Sequence, residues 1–247
     1  MNTKSSKTRL DKLLVEREIC PTRERARALI MSGAVIVEGS RVDKAGTLVA
    51  GDANITIRGR DNPYVSRGGL KLKGALETFD ITVRGLVALD VGVSTGGFTD
   101  CLLQEGAKKV FAIDVGYGQL AWKLRQDMRV TLFERTNIRY FSGEGIDDTI
   151  DIVTIDVSFI SLRLVIPAVL SLIRERAIIL ALVKPQFEAG KGEVGKKGVI
   201  RDPEIHKRVV DEIAGFAREF GCEVMGVCES PITGPAGNKE FFIYARK

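Results

Sequence analysis

Two hydrophobic patterns divide the chain into a short and a long part. Before residue 58, apolar residues come in groups of two or three, whereas from residue 69 onward longer apolar runs alternate with segments of helical periodicity. This alternation predicts a doubly wound, mostly parallel α/β sheet. The predicted strands are 86–91, 110–114, 130–133, 152–156 and 178–184, and the predicted helices are 70–79, 97–104, 119–125, 162–173 and 203–220. Two later strands, near 224–228 and 241–245, are expected to close one edge as a hairpin.

The shorter part predicts a small α+β module. Leu10, Leu13 and Leu14 have helical spacing, and Thr22 is placed as the N-cap of a second helix over 23–31. Short alternating segments follow at 35–37, 48–49 and 55–57. Because so few elements make a marginal core, the module is expected to serve a larger body. We therefore predict a module at 1–60, a linker at 61–68 and an α/β domain at 69–247.

The net charge of +5 is concentrated in the first part of the chain. Residues 1–67 contain 13 basic and 8 acidic residues, whereas the remaining 24 basic and 24 acidic residues cancel. A small basic module on a neutral body indicates an anionic partner, most commonly a nucleic acid. A solvated charged face is the alternative. The candidate RNA-binding residues are Arg9, Lys12, Arg23, Arg25, Arg27 and Arg67. A second basic segment, 191–197 with Arg201, is either a clamp over RNA or a solvated loop.

Composition narrows the class of protein. No apolar run approaches the roughly 20 residues of a membrane helix, and the N-terminal residues lack the apolar core of a signal peptide. The four cysteines are scattered and the chain has a single histidine, so we expect reduced thiols and no metal site. These features predict a cytoplasmic protein.

The segment 86–100, LVALDVGVSTGGFTD, carries the most chemical information. A strand breaks at Gly92 into a glycine turn and a helix, and the next strand ends in Asp114. A strand, a glycine turn and an acid after the next strand are typical of a nucleoside site. Because Ser94 stands where a pyrophosphate fingerprint has glycine, the pattern favours S-adenosylmethionine. The expected cofactor contacts are Gly92, Ser94, Gly96, Gly97, Phe98, Asp114, Asn137 and Asp156.

The same turn also matches the G-x-S-x-G nucleophile elbow of hydrolases, with Ser94 as nucleophile. Such an enzyme needs a histidine, and His206 falls in the periodic segment 203–220, where we expect a solvated helix residue. The elbow also follows a strand well inside its sheet, whereas Ser94 follows the first long strand of its domain. A hydrolase and a purely structural turn remain as alternatives.

Further polar side chains follow the predicted strands. Asp156 and Lys184 end very apolar strands, and ligands of open α/β sheets collect at these carboxyl ends. Because isolated charges are costly to desolvate there, we expect Asp156 and Lys184 to pair. A structural salt bridge at the rim of the sheet is the alternative. Asn137, after the third strand, is a candidate to touch the base of the cofactor.

Four of these residues resemble a known catalytic set. Lys71, Asp156, Lys184 and Glu240 match the Lys-Asp-Lys-Glu tetrad of FtsJ-type ribose 2′-O-methyltransferases. The chain is most similar to the TlyA branch of that family, often called hemolysin A. The shared segments are YVSRGGLKL at 64–72, DVGVSTGGFTD at 90–100, DVGYGQL at 114–120, DVSFIS at 156–161, VKPQFE at 183–188 and SPITGP at 230–235. Residues 9–14, 22–30 and 33–37 resemble the alpha-L RNA-binding fold of ribosomal small-subunit protein four.

The resemblance implies a Rossmann-like methyltransferase with S-adenosylmethionine as methyl donor. Its expected substrate is a cytidine 2′-hydroxyl in ribosomal RNA of the large subunit, with the small subunit as a further candidate. Lys184 is expected to activate the hydroxyl and Asp156 to position Lys184, whereas Lys71 and Glu240 are expected to orient the ribose. A ribosome-associated RNA-binding protein with an inactive methyltransferase fold, or a membrane-lytic hemolysin, are the alternatives.

Overall fold

The chain forms two compact units. The computed structural model describes residues 7–57, 62–190, 192–195 and 198–247, and the units comprise residues 1–61 and 62–247. Residues 62–68, which belong to the predicted linker at 61–68, lie in the second unit. The reason is that Tyr64 is buried in the core of this unit, while the Val65 N–H donates to Asp100 at 2.7 Å.

Among its described residues, 7–57, the first unit has two short helices and five short strands. Its elements are β1 (Lys7–Arg9), α1 (Leu10–Glu16), α2 (Arg23–Met31), β2 (Val35–Val37), β3 (Ser40–Arg41), β4 (Leu48–Ala50) and β5 (Ile55–Ile57). The strands form a β1–β4 pair and an antiparallel β3–β2–β5 sheet. Thr22 caps α2 as predicted, because its side chain accepts from the Arg25 N–H. The helices bury Leu10, Leu14, Ala26 and Ile30 against Val35.

The second unit alternates strands and helices. Its helices are α3 (Gly68–Thr78), α4 (Gly97–Gln104), α5 (Trp122–Arg125), α6 (Leu162–Leu172), α7 (Pro185–Glu188) and α8 (Pro203–Glu219), with a 3-10 turn at Ile138–Tyr140. Its strands are β6 (Val87–Val91), β7 (Lys109–Ile113), β8 (Val130–Phe133), β9 (Ile152–Ile155), β10 (Ile178–Val183), β11 (Glu223–Glu229) and β12 (Phe241–Arg246). The helix predicted at 119–125 begins only at Trp122, because the backbone of Ala121 is held by the Thr95 carbonyl at 3.2 Å.

One seven-stranded sheet organises this unit, in the order β11-β12-β10-β9-β6-β7-β8. The pairs from β10 to β8 are parallel, and β12 and β11 complete the sheet as the predicted antiparallel hairpin. The mostly parallel fold class is confirmed. However, β6 lies well inside the sheet between β9 and β7, so the argument against a nucleophile elbow from strand position was wrong. Strand order depends on long-range pairing, which chain order does not determine.

Two apolar layers cover the faces of this sheet. On one face, α6 and α8 bury residues such as Val165 and Ile213 against the strands. On the other face, α3 and α4 bury residues such as Leu72 and Leu102. Because both faces are covered, the central strands are buried throughout, and β6 is buried at all of its positions. The carboxyl ends of these strands remain free to present polar side chains at one edge.

Candidate active site

A cleft of about 770 Å³ lies at the carboxyl ends of β6, β9 and β10. This volume falls within the range of about 300–1,000 Å³ that is typical of small-molecule sites. The start of α3, the turn after β6 and the segment before β12 complete its wall. All four predicted tetrad residues line it, namely Lys71, Asp156, Lys184 and Glu240.

The first pair of this tetrad joins α3 to the segment before β12. The Nζ atom of Lys71 lies 2.5 Å from Oε2 of Glu240, and the two side chains are 9% and 1% exposed. Since β12 runs antiparallel to β10, Glu240 precedes its strand yet reaches the same edge as Lys184, which follows β10. The pair is therefore buried, charge-balanced and part of the cleft wall.

The second pair confirms the expected pairing of Asp156 with Lys184. The Nζ atom of Lys184 lies 2.6 Å from Oδ1 of Asp156 and donates to Oγ of Ser158 at 2.8 Å. The neighbouring parallel strands β9 and β10 bring the two residues together, because each side chain follows the end of its strand. The cleft thus contains a lysine Nζ atom positioned by two oxygen partners.

The glycine turn has a geometry that only a few residues tolerate. Gly92 has φ of 87°, and a Cβ atom there would lie 2.5 Å from the carbonyl oxygen of Asp156. Ser94 also has a positive φ, of 50°. The Ser94 N–H donates to Oδ2 of Asp114 at 2.7 Å, and the Gly116 N–H donates to Oδ1 at 2.7 Å. Each carboxylate oxygen keeps lone-pair capacity for a ribose hydroxyl, so this donor and acceptor set fits the nucleoside part of S-adenosylmethionine.

A buried carboxyl group lies next to this turn, in strand β6. Asp90 accepts hydrogen bonds from the hydroxyls of Thr99 at 2.7 Å and Thr154 at 3.0 Å. Burial raises the pKa of Asp90 to about 7. Asp90 thereby links β6 to α4 and β9. Asp90 has no role among the predicted site residues, although an acid inside the apolar segment VALDV is a detectable signal.

The remaining predicted cofactor contacts are distributed differently. Gly97 and Phe98 line the cleft. Among the described residues, Gly96 and Asn137 do not belong to the lining. Gly96 packs against α5, and the Asn137 side chain accepts from the Arg139 N–H at 3.1 Å as the cap of the 3-10 turn. Asp114 is not part of the lining either, and its link to the cleft is the hydrogen bond that Oδ2 accepts from the N–H of Ser94.

Several lining residues were missed by sequence analysis. Ser158 bonds Lys184, and Phe159 is 90% exposed with φ of 62°. The Phe159 ring lies 4.9 Å from that of Phe187, which follows Lys184 by three residues. The available signal was position, because these residues directly follow the strand ends that carry Asp156 and Lys184. Gln186 and Asn238 were missed as well.

The candidate RNA-binding residues have defined surroundings. Arg67 lines the cleft and donates to the Thr233 carbonyl at 3.0 Å. In the first unit, Lys12 pairs with Glu16 at 3.2 Å, and Arg25 is partly buried. Arg23 and Arg27 lie on the exposed face of α2. Their guanidinium groups and that of Arg9 hydrogen-bond the buried Asp11.

His206 is buried, which contradicts the expectation of a solvated helix residue. The reason is that α8 packs on the sheet, so the imidazole ring lies 5.6 Å from the Phe241 ring and 3.1 Å from the Ile200 carbonyl oxygen. His206 lines a separate cavity of about 380 Å³, whereas Ser94 lines the cleft. The hydrolase alternative therefore lacks its base.

Two further observations concern the chain as a whole. Within the residues that the structure describes, no helix combines the length and apolar character needed to cross a membrane. In the same residues, no group of three or more histidine, cysteine or acidic side chains is placed to bind a metal.

Arg201 is exposed, whereas Lys191, Lys196 and Lys197 of the predicted basic loop lie outside the described residues.

Comparison with known proteins identifies both units. Residues 64–247 match the FtsJ-like methyltransferase family, and residues 8–55 match the S4 domain. The 16S/23S rRNA (cytidine-2′-O)-methyltransferase TlyA of Mycobacterium tuberculosis is 46% identical over 97% of this chain and 90% of its own length. Hemolysin A of Brachyspira hyodysenteriae is 37% identical over 96% of this chain and 98% of its own length.

Solved structures agree with this assignment. A hemolysin-like protein from Streptococcus thermophilus has a TM-score of 0.78 at 42% identity, covering 98% of this chain and 89% of that one. Fibrillarin of Aeropyrum pernix, solved with S-adenosyl-L-methionine, shares the fold with a TM-score of 0.52 at 16% identity, covering 86% of this chain and 94% of that one. The chain therefore belongs to the FtsJ-like methyltransferase family and carries an S4 domain in its N-terminal unit.

Proposed function

We propose that this protein methylates the 2′-hydroxyl of a cytidine in ribosomal RNA, with S-adenosylmethionine as methyl donor. The observation that carries this proposal is the gathering of Lys71, Asp156, Lys184 and Glu240 in one cleft beside a nucleoside-type turn. The substrate class is supported by the rRNA (cytidine-2′-O)-methyltransferase relatives. Large-subunit RNA is the first expected substrate and small-subunit RNA the second. Such an enzyme acts in the cytoplasm, on ribosomal subunits or their RNA.

S-adenosylmethionine supplies an electrophilic methyl group when it is bound. The residues assigned to hold it are the turn from Gly92 to Phe98 and the carboxylate of Asp114, whose position is fixed by two backbone N–H groups. The assignment of Asn137 to the cofactor base stays a prediction, since its side chain oxygen already caps the 3-10 turn.

Lys184 is assigned to accept the proton of the attacking hydroxyl. A ribose hydroxyl is a poor nucleophile at neutral pH and must lose its proton as it attacks. The proton passes to Nζ of Lys184, which must enter the step as a neutral amine. The carboxylate of Asp156, 2.6 Å away, then stabilises the ammonium group, while Ser158 fixes its direction.

Lys71 and Glu240 are assigned to orient the ribose. Together they present a donor and an acceptor at fixed positions, with no net charge. Because both side chains of the pair are buried, their geometry is already set before the substrate binds. Alignment of reacting groups contributes up to about 7–11 kcal/mol to catalysis in favourable cases, so this positioning is expected to be a large term.

The test incubates purified protein with labelled S-adenosylmethionine and separate ribosomal subunits, then maps any 2′-O-methylated nucleotide. We expect one labelled cytidine position per substrate RNA. Lys184→Ala should lower the rate by about 100-fold or more, because general-base catalysis contributes about 10²–10⁴-fold. The matched control is Lys207→Ala, on an exposed lysine of α8, which should keep the wild-type rate.

Three results would each change a different part of the proposal. Cofactor binding without labelled RNA means an RNA-binding protein with an inactive methyltransferase fold. Full activity of Lys184→Ala removes the assignment of the base while leaving the enzyme. Lysis of erythrocytes by the purified protein at low dose supports the hemolysin alternative.

A further inference from the structure

The buried carboxylate of Asp11 binds three arginines in the first unit. Arg9 donates from Nε to Oδ1 at 3.0 Å and from Nη2 to Oδ2 at 3.1 Å. Arg23 donates from Nη2 to Oδ2 at 2.9 Å, and Arg27 donates from Nε to the same oxygen at 3.2 Å. Asp11 lies on α1, Arg9 directly precedes that helix, and the other two arginines lie on α2. One carboxylate therefore bonds three guanidinium groups, one at the end of β1 and two on α2.

The cluster contains three positive charges and one negative charge. Arg9 alone neutralises Asp11 and donates to both of its carboxylate oxygens. Arg23 and Arg27 then leave an excess of two positive charges, which repel each other. Removing one of these two guanidinium groups would relieve the repulsion. The presence of both arginines therefore needs a reason other than neutralising Asp11. An anionic ligand supplies that reason.

The carboxylate of this cluster is buried, whereas its three arginines are about half exposed. The side chain of Asp11 is 0% exposed, whereas those of Arg9, Arg23 and Arg27 are 48%, 49% and 52% exposed. Each guanidinium has five N–H donors, and the bonds to Asp11 use at most two of them. Donors therefore remain on the solvent side of each arginine. The hydrogen bonds from the arginines hold the pKa of Asp11 well below its usual range, and those from Arg9 have the largest effect. Burial acts in the opposite direction and raises this pKa. The carboxylate stays charged throughout the physiological range.

We infer that Asp11 is a positioning residue that sets Arg9, Arg23 and Arg27 as a single site for the phosphates of an RNA backbone. This inference rests on the proposed function, which supplies RNA as the partner. The planar fork of a guanidinium matches phosphate oxygens in bidentate geometry, and fixing it beforehand reduces the entropy lost on binding. Contacts of this kind position the RNA and carry no sequence information. Lys12 and Arg25 are outside the cluster.

The direction in which Asp11→Asn changes the RNA affinity distinguishes a positioning role from a purely electrostatic one. Asp11→Asn keeps the shape of the side chain and changes the net charge from +5 to +6. If Asp11 only offsets charge, the added positive charge tightens RNA binding. If Asp11 positions the arginines, binding weakens despite the added charge. We expect a loss of about tenfold in affinity at physiological salt, and a slope of log affinity against log salt that is smaller by about 1.

Asp43→Asn is the matched control, because Asp43 is an exposed aspartate of the same unit and the charge change is identical. Its RNA affinity should equal or slightly exceed that of the wild type. The measurement is fluorescence anisotropy of a labelled ribosomal RNA fragment with the full chain, from low to high salt. An Asp11→Asn variant that binds as tightly as Asp43→Asn overturns the inference.

A second variant decides the matter if Asp11→Asn unfolds. Arg23→Gln with Arg27→Gln keeps the Asp11–Arg9 pair and should lose affinity at least as strongly. Wild-type affinity in this double variant overturns the inference. In methylation assays the variants should raise the KM for RNA about tenfold and keep kcat, whereas a fall in kcat at unchanged KM overturns it. Failure of the wild type to bind rRNA overturns this inference together with the proposed substrate, and failure to methylate rRNA that it does bind overturns the proposed function alone. A wild type that binds rRNA with an unaffected Asp11→Asn overturns this inference alone.

Discussion

Replacing Asp90 with asparagine should remove a pH-dependent loss of stability. Asp90 is fully buried and accepts two threonine hydroxyls, with its pKa raised by burial from 3.8 to about 7. Asparagine has nearly the same shape and accepts from one threonine while donating to the other, because a hydroxyl can do both. The substitution therefore removes the titration and keeps most of the contacts.

The magnitude follows from the two pKa values. Below pH 3.8 the carboxyl group is protonated in both states, so its contribution to folded-state stability is fully present. As the pH rises from 3.8 to about 7, the unfolded chain ionises first, and the folded state loses about 1.4 kcal/mol per pH unit. Between pH 5 and pH 8 the wild type should lose about 2.5 kcal/mol through this group, which Asp90→Asn should not lose.

The assay is urea unfolding followed by circular dichroism at several pH values from 5 to 8. All other groups titrate alike in both proteins, so the difference in unfolding free energy isolates Asp90. This difference should shift by about 2.5 kcal/mol in favour of Asp90→Asn as the pH rises. Asp211→Asn, on the exposed side of α8, is the control and should run parallel to the wild type. A difference that stays constant within about 0.5 kcal/mol refutes the reasoning.

Two further perturbations test the walls of the cleft. Lys71→Met should cost about 3–5 kcal/mol in urea unfolding, because it leaves the Glu240 carboxylate buried and unpaired. Adding Glu240→Gln should recover most of that stability but no methylation, and an unrecovered double variant would contradict the pairing argument. Gly92→Ala should weaken S-adenosylmethionine binding in calorimetry and destabilise the fold, since its Cβ meets the Asp156 carbonyl oxygen. Gly85→Ala is its control, with φ of 78° and open space around the Cβ position, so equal effects of the two would show that backbone strain alone is responsible.

Local pattern was sufficient to predict most elements of the second unit. The α4 helix and β8 strand have their predicted bounds, because each combines an apolar pattern with clear turn residues on both sides. The pairing of Asp156 with Lys184 was also predictable, since two charges that end apolar strands have few other partners. Short elements such as α7 were not predicted, because four residues carry no periodicity.

Long-range contacts account for the remaining differences. The position of β6 inside the sheet depends on which strands pair, and the burial of His206 depends on how α8 packs against β12. Asp11 gave no signal as an organiser, because its partners lie up to 16 residues away and each looks like an ordinary surface arginine. The threonine partners of Asp90 come from α4 and β9, which only the folded sheet brings together.

The antiparallel direction of β12 lets Glu240, near the end of the chain, pair with Lys71, so the ribosome synthesises the two partners at very different times. Lys71 and Glu240 are 169 residues apart, so a ribosome elongating at about 5–20 residues per second exposes the lysine roughly 8–34 s before its partner exists. The residues of the S4 domain are complete well before that moment. A chain that terminates early between these positions would therefore carry the arginines of the proposed RNA site without a finished cleft. Such a fragment is expected to compete for the substrate of the intact enzyme rather than to turn it over.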